Sequence, residues 1–124
     1  MSTAGPEDAD APKEYSETAS GLKYRVLRKS DAPKPIRSSV VEVNYRGWLE
    51  DGTEFDSSYK RRESISFPLG NVIAGWTEGL QLVGKGGMIE LCIPSELGYG
   101  SRGAGGVIPP HATLYFLVEL IDFQ

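Results

Sequence analysis

The chain of 124 residues contains a single cysteine, Cys92, and a single histidine, His111. One cysteine cannot form an intrachain disulfide, and a zinc site needs three or four ligands, so the composition predicts neither a disulfide framework nor a metal. A Ser-His-Asp or Cys-His hydrolase would depend entirely on His111, which follows Pro109-Pro110 in a predicted loop. The residue inventory therefore argues against metal-dependent and nucleophilic catalysis, and we expect no cofactor.

The sequence also lacks an excess of positive charge and a long apolar run. Thirteen Lys and Arg oppose 17 Asp and Glu, which gives a formal net charge of −4. Clustered positive charge for phosphate contacts is absent, so nucleic acid is not an expected partner. No apolar run approaches the roughly 18 residues that indicate a membrane span, and the N-terminus has no signal-peptide pattern. We therefore expect no membrane association and a cytoplasmic location.

The acidic excess lies in residues 1–17, which carry five acidic side chains and one lysine. Within residues 1–20 the only bulky apolar side chains are Met1 and Tyr15, too few to offset the entropy lost on ordering the segment. The sequence therefore predicts a disordered acidic tail over residues 1–20 and one folded domain over residues 21–124. An acidic recognition arm is the alternative interpretation of the tail.

Alternating apolar and polar residues predict strands over much of the folded domain. The strand patterns cover residues 22–27, 41–49, 65–69, 88–93 and 113–123, of which the last is apolar on both faces over much of its length, as a central strand would be. Asp51-Gly52 predicts a hairpin turn that returns the chain through Phe55. A period of 3.6 residues over 72–83 predicts the one helix. One helix among about five strands, without β-α-β spacing, predicts an antiparallel α+β domain.

A glycine-rich segment over residues 98–106 could suggest a phosphate-binding loop. It lacks a following Lys-Ser or Lys-Thr pair, and Pro109-Pro110 stands where a phosphate-binding helix would begin. The segment is better interpreted as a turning loop or as a flap over a pocket, because Tyr99 and Ile108 flank the glycines with groups that could face a ligand.

Aromatic residues are spread over separate predicted elements. They are Tyr45, Phe55, Phe67, Trp76, Tyr99 and Phe116. Ordinary core packing explains such a set, but a single short helix that presents a Trp toward a sheet already rich in Tyr and Phe also fits an apolar pocket. Both interpretations stay open on composition and spacing.

Three motifs follow one another along the chain: VNYRGWLEDGTEFDSS at 43–58, VIAGW at 72–76 and GAGGVIPPHATL at 103–114. In this order they resemble the FKBP-type peptidyl-prolyl cis/trans isomerases, the tacrolimus-binding immunophilins. The resemblance extends from about Gly21 to Phe123, and the motif sequences are most similar to those of the bacterial branch related to macrophage infectivity potentiators. Ile65 and Ala104 depart from the better-known eukaryotic pattern, which leaves the substrate preference open.

The resemblance implies a five- to six-stranded antiparallel β half-barrel around one short α-helix, with a prolyl pocket whose floor is Trp76. The implied catalytic residues are Asp56, Tyr99, Phe55, Trp76 and Phe116. The implied substrate-binding residues are Tyr45, Phe67, Val72, Ile73, Ile108 and Ile65, with the Ile73 N–H as a donor to a ligand carbonyl. The implied partners are proline-containing polypeptides and macrolides such as tacrolimus and rapamycin. We expect a monomer, because no periodic dimerisation helix precedes the domain.

The implied reaction needs no bond to a nucleophile. Rotation about an X-Pro bond must break amide resonance against a barrier of about 18–20 kcal/mol, and a dry apolar pocket disfavours the charge-separated planar form. Asp56 could contribute to the rate, or it could simply bond to Tyr45 and fix the pocket wall. Two rival functions are a non-catalytic module that holds proline-containing segments and a plain structural domain.

Overall fold

The computed structural model describes residues 3–124. Its main feature is one seven-stranded antiparallel sheet with the order β1-β2-β6-β7-β3-β4, in which β5 also pairs with β3. The strands are β1 (Ser16–Glu17), β2 (Lys23–Arg28), β3 (Val40–Leu49), β4 (Glu54–Ser57), β5 (Ile65–Pro68), β6 (Met88–Ile93) and β7 (Leu114–Phe123). The prediction of an antiparallel α+β domain is confirmed.

The helical elements are short and lie between the strands. Within residues 3–124, two are α-helices, α1 (Ser58–Arg61) and α2 (Ala74–Gly79), and three are 3-10 turns, Leu69–Asn71, Leu80–Leu82 and Ser95–Leu97. The helix predicted over 72–83 is therefore too long at both ends. Val72 and Ile73 have extended backbone angles, and the chain tightens into a 3-10 turn at Leu80.

The core lies between α2 and the face of the sheet that packs on it, which we call the inner face. Alternate residues of β3, including Val41 and Val43, point to this side and are fully buried. Glycine lets α2 approach the sheet closely. A Cβ on Gly75 would lie 2.6 Å from Cγ2 of Ile93, well inside van der Waals contact.

The opposite side of the sheet, the outer face, is partly covered by residues 3–17, which we call the N-terminal strap. Asp8 N donates to the Leu27 carbonyl at 2.7 Å, and Asp10 pairs with Lys29 at 3.0 Å. Ala4 and Ala11 pack on a cluster of buried apolar side chains, Leu27, Met88 and Leu117.

This arrangement differs from the disorder predicted over residues 1–20, of which Met1 and Ser2 lie outside the described residues. The reason is that the sheet, rather than the strap, supplies most of the apolar surface, and the strap adds backbone hydrogen bonds to β2, on which its own strand β1 pairs. The division of the chain at residue 20 stays a prediction. In the part of the chain that the structure describes, no helix has the length and apolar character needed to cross a membrane.

Candidate active site

A cavity of about 310 Å³ opens on the inner face between the start of α2 and strands β3, β4, β5 and β7. Aromatic and aliphatic side chains dominate its wall, and Asp56, Asn71 and the Tyr hydroxyls supply the polar groups. The lining residues are Tyr45, Phe55, Asp56, Phe67, Asn71, Val72, Ile73, Trp76, Tyr99 and Phe116. An apolar concave site with a few polar groups is typical of small-ligand binding.

Trp76 forms the floor of the cavity and is only 4% exposed. The rings of Tyr45 and Phe116 meet its indole edge-to-face, at centroid distances of 5.2 and 5.3 Å, and Phe67 packs at 5.4 Å. Such edge-to-face geometry is the favourable arrangement of aromatic quadrupoles, so the floor is held in one orientation. The indole Nε1 is buried and has no hydrogen-bond partner within residues 3–124.

One wall of the cavity consists of Phe55 on β4 and Phe116 on β7, whose rings pack edge-to-face at 5.5 Å. Gly47 of the intervening strand β3 lies directly behind both rings. A Cβ at this position would lie 2.6 Å from Cζ of Phe55 and 2.8 Å from Cε1 of Phe116. Glycine is therefore required here to admit the two rings, and this close approach shapes the wall.

Asp56 is the charged group of the cavity, and three donors hold its carboxylate. The hydroxyl of Tyr45 donates to Oδ2, while the Arg61 guanidinium and the Ser57 N–H donate to Oδ1 at 2.5 and 2.9 Å. Arg61 also donates to the Tyr45 hydroxyl oxygen at 3.4 Å. The bond between Asp56 and Tyr45 that the sequence suggested is thus only part of the arrangement, because Arg61 of α1 also holds the carboxylate.

The same contacts set the protonation of the pair. Partial burial acts to raise the pKa of Asp56, but the hydrogen bond from Tyr45 and the charge of Arg61 outweigh it, so the pKa lies below its usual value of 3.8. Burial and the neighbouring Asp56 raise the pKa of the Tyr45 phenol. At neutral pH the carboxylate is consequently ionised and the phenol is a neutral donor.

The glycine-rich segment forms the loop predicted from the sequence. It is closed by a backbone bridge in which Ala104 N donates to the Ile108 carbonyl at 2.8 Å. Gly103 has a φ of +66°, and a Cβ there would lie 2.2 Å from that carbonyl oxygen, so the turn requires glycine. Tyr99 at the start of the loop lines the cavity and is 41% exposed.

Nine of the eleven residues predicted for the site line one cavity. The other two lie apart from its wall: Ile108 is buried in the core beside the loop bridge, and Ile65 lies exposed on β5. The Ile73 N–H, predicted as a ligand donor, makes no hydrogen bond within the described residues and lies at the start of α2. It is therefore available to a ligand carbonyl.

Two residues at the site were not predicted. Asn71 ends the 3-10 turn before α2 and lines the cavity, but no sequence period marks it. Arg61 reaches Asp56 from α1, a four-residue helix too short to give a helical pattern. The spacing of five residues between Asp56 and Arg61, across a turn capped by Ser57, is the signal that could have found it.

Acidic, histidine and cysteine side chains do not gather into a metal site here. Among residues 3–124, no three or more of them are close enough together to hold a metal ion. His111 is exposed in the loop before β7, with a φ of +60°, and lies outside the cavity.

The family model for FKBP-type peptidyl-prolyl cis-trans isomerases matches residues 32–121, and the chain belongs to this family. The FKBP-type isomerase FkpA of Escherichia coli is 51% identical over 107 residues, which cover 86% of this chain and 39% of FkpA. An FK506-binding protein of Neisseria meningitidis serogroup C is 53% identical over 97 residues, which cover 77% of this chain and 89% of the relative.

Solved structures share the fold. The crystal structure of FkpA from E. coli superposes with a TM-score of 0.87 at 49% identity, over 91% of this chain and 53% of that one. A peptidyl-prolyl cis-trans isomerase from Pseudomonas syringae pv. tomato gives a TM-score of 0.84 at 39% identity, over 91% of this chain and 83% of that one. The fold predicted by resemblance, an antiparallel half-barrel around one short helix, is thereby confirmed. The chain spans well under half the length of FkpA.

Proposed function

We propose that this chain catalyses cis/trans isomerisation of peptide bonds that precede proline. The observation that carries the proposal is the Trp76-floored aromatic cavity with ionised Asp56 in its wall, in a chain of the FKBP-type isomerase family. An uncatalysed X-Pro bond takes tens to hundreds of seconds to isomerise, so even modest stabilisation of the twisted amide accelerates it usefully.

The cavity supports this reaction by exclusion of water. Planar amide resonance separates charge, and an apolar enclosure stabilises this planar form less than water does, while the twisted amide loses less on transfer. Trp76, Phe55 and Phe116 would enclose the prolyl ring, because their rings form the floor and one wall. The substrate carbonyl before or after proline would accept from the free Ile73 N–H.

Asp56 would act without transferring a proton. Its carboxylate is already held by Tyr45, Arg61 and Ser57, and its low pKa keeps it ionised at neutral pH. In the planar amide the carbonyl oxygen carries extra negative charge, which it loses as the bond twists, so a fixed negative charge beside that oxygen would favour the twisted transition state. Tyr99, which is partly exposed at the start of the loop, would orient the polypeptide on the open side of the cavity.

Macrolide binding and assistance to protein folding belong to the same proposal. One relative, which aligns with this chain over 89% of its own length, is named an FK506-binding protein. The cavity is apolar enough to receive the pipecolyl-type ring of tacrolimus in place of proline, so we expect tacrolimus to compete with peptide. We expect refolding limited by proline isomerisation to accelerate in the presence of the chain.

A protease-coupled assay on a short Ala-Leu-Pro-Phe peptide tests the activity. We expect the parent to accelerate the cis-to-trans step and Trp76→Leu to lose most of this acceleration. Trp48→Phe is the matched control, because Trp48 stacks on Tyr115 at the outer face, away from the cavity. A parent rate at background, or a Trp76→Leu variant as active as the parent, would contradict the proposal.

A binding module without catalysis is the second candidate. The observation in its favour is the exposed apolar surface of the loop that starts at the cavity, where Tyr99 is 41% and Val107 is 57% exposed. Suppression of aggregation separates the two functions. If the chain only binds proline-containing segments, the parent and Asp56→Ala should suppress aggregation equally well, and neither protein should accelerate isomerisation.

A further inference from the structure

Helix α1 carries Arg61 to the cavity but has little stability of its own. It is four residues long, whereas isolated helices need about 12–15 residues to persist in water. Its position is therefore set by contacts with the rest of the fold. One contact is internal: Ser58 is fully buried, and its hydroxyl accepts from the Tyr45 N–H at 2.8 Å. This bond fixes the start of the helix to β3.

The second anchor of α1 lies on the outer face. Tyr59 is 3% exposed, and its hydroxyl donates to Oε1 of Glu119 on β7 at 2.5 Å. Glu119 is itself 9% exposed and takes two further donors, Arg28 Nη2 at 2.8 Å and Gly5 N at 3.2 Å. A nearly buried carboxylate with three donors, one of them cationic, is held in a fixed place.

The two sides of α1 thus connect the outer face to the cavity. Tyr59 points to Glu119, and Arg61, two residues further, points to Asp56. We propose that Tyr59 and Glu119 are positioning residues for the candidate active site, which hold α1 where Arg61 can reach Asp56. The N-terminal strap shares in this role through the Gly5 N–H. The kinetic part of the inference rests on the proposed isomerase function, while the geometric part does not.

The protein contains its own control for this inference. Tyr15 of the strap donates to Glu90 on β6, and Glu90 also pairs with Arg25 at 3.1 Å. This second Tyr-Glu-Arg cluster has the same chemistry and also lies on the outer face. It connects the strap to the sheet, but none of its members belongs to α1.

The experiment compares Tyr59→Phe with Tyr15→Phe in the full chain. Each variant loses one hydroxyl that donates to a partly buried glutamate. The first readout is the pH titration of the Asp56 carboxyl carbon by ¹³C NMR, and the second is kcat and KM for a proline-containing peptide. In Tyr59→Phe we expect the midpoint of Asp56 to rise toward the usual 3.8 because Arg61 moves away. We expect kcat/KM to fall about tenfold, mostly in kcat.

Tyr15→Phe should leave both readouts at the parent values. Glu119→Gln is the second variant, since its amide oxygen still accepts from Tyr59 while the charge that attracts Arg28 is lost. We expect it to raise the titration midpoint of Asp56 by a smaller amount than Tyr59→Phe does. If Tyr59→Phe does not fold, Glu119→Gln by itself tests the inference. An unchanged Asp56 midpoint in the folded variants, or an equal shift in Tyr15→Phe, would overturn the inference. An inactive parent would contradict the isomerase proposal, but the Asp56 titration would still test the positioning.

Discussion

Gly47 determines how close the two phenylalanines of the cavity wall can lie to β3. In Gly47→Ala the new methyl group would meet Phe55 at 2.6 Å and Phe116 at 2.8 Å. Carbon atoms pack favourably at about 3.5 Å or more, so the rings must retreat by about 0.9 Å. The backbone at Gly47 does not have a positive φ, so alanine is compatible with the strand and the effect arises from crowding alone.

Crowding of this kind costs about 1–3 kcal/mol. For a chain of this size, about 4 °C of Tm per kcal/mol gives a fall of about 4–12 °C. The displaced rings also reshape the cavity wall, and a misplacement near 1 Å can cost about 100-fold in rate. We therefore expect kcat/KM for a proline-containing peptide to fall by about 10- to 100-fold. Calorimetry and the isomerase assay, run well below the Tm, measure the two effects separately.

Gly84→Ala is the matched control, because its Cβ would lie 2.5 Å from the Ala32 carbonyl oxygen in a turn before β6. It crowds the fold without touching a cavity residue, so we expect a lower Tm and an unchanged kcat/KM. The reasoning would be refuted if Gly47→Ala lowered the Tm while retaining the parent kcat/KM. It would equally be refuted if both glycine variants lost the same activity.

Three further predictions concern charge, core and loop. Because the folded pKa of Asp56 lies below 3.8, its ion pair stabilises the protein above that pH. The difference in free energy of unfolding between parent and Asp56→Asn, from urea titrations, should be constant above about pH 5 and shrink as the pH falls below 3.8. Leu22→Ala truncates a fully buried side chain that does not line the cavity and should cost about 2–5 kcal/mol in the same titrations, with kcat/KM unchanged. Gly103→Ala places a methyl group against the Ile108 carbonyl and strains a positive φ, so the loop bridge should open and KM should rise more than kcat falls. An unchanged KM would show that the loop does not contact substrate.

The main strands were predictable, most from period-2 alternation and β7 from its apolar character on both faces, whereas β1 lies in the segment predicted to be disordered. Residues 88–93 were predicted as a strand and form β6 with the same bounds, and β3 and β7 differ from their predictions by one residue at one end. Alternation of this kind reports burial on one face of a sheet directly. The helix was harder to bound, because Val72 and Ile73 are apolar at helical spacing but are used in the cavity wall, in extended conformation.

The cavity was predictable through its motifs rather than through periodicity. The spacing of Trp76 and Phe116 is what buried core residues would also show. Only the family resemblance indicated that these side chains line a pocket. Arg61 escaped prediction because its partner Asp56 is brought near by a single helical turn that sequence patterns do not register. The resemblance implied that Ile108 lies in the pocket wall, but beside the loop bridge its side chain is buried in the core and is not among the lining residues.

The N-terminal strap shows the limit of composition as a guide to order. Residues 3–17 have few apolar groups, yet they lie on the sheet because Ala4 and Ala11 cover Leu27, Met88 and Leu117 and the backbone bonds to β2. The position of the strap is therefore determined by the apolar surface of the sheet, which cannot be recognised from the sequence of the strap itself. The strap's contact with Glu119 could be recognised only from the structure, since Gly5 and Glu119 are 114 residues apart.

Exchange NMR on a mixture of the chain and an Ala-Leu-Pro-Phe peptide tests the central claim most directly. Without a catalyst, cis and trans peptide signals exchange over tens to hundreds of seconds and give no cross-peaks on a one-second mixing time. With a substoichiometric amount of the chain, we predict cis-trans cross-peaks, together with a shift of the Trp76 indole N–H signal and none of Trp48. Absent cross-peaks, or cross-peaks that persist when tacrolimus shifts the Trp76 signal to saturation, would contradict isomerisation in this cavity.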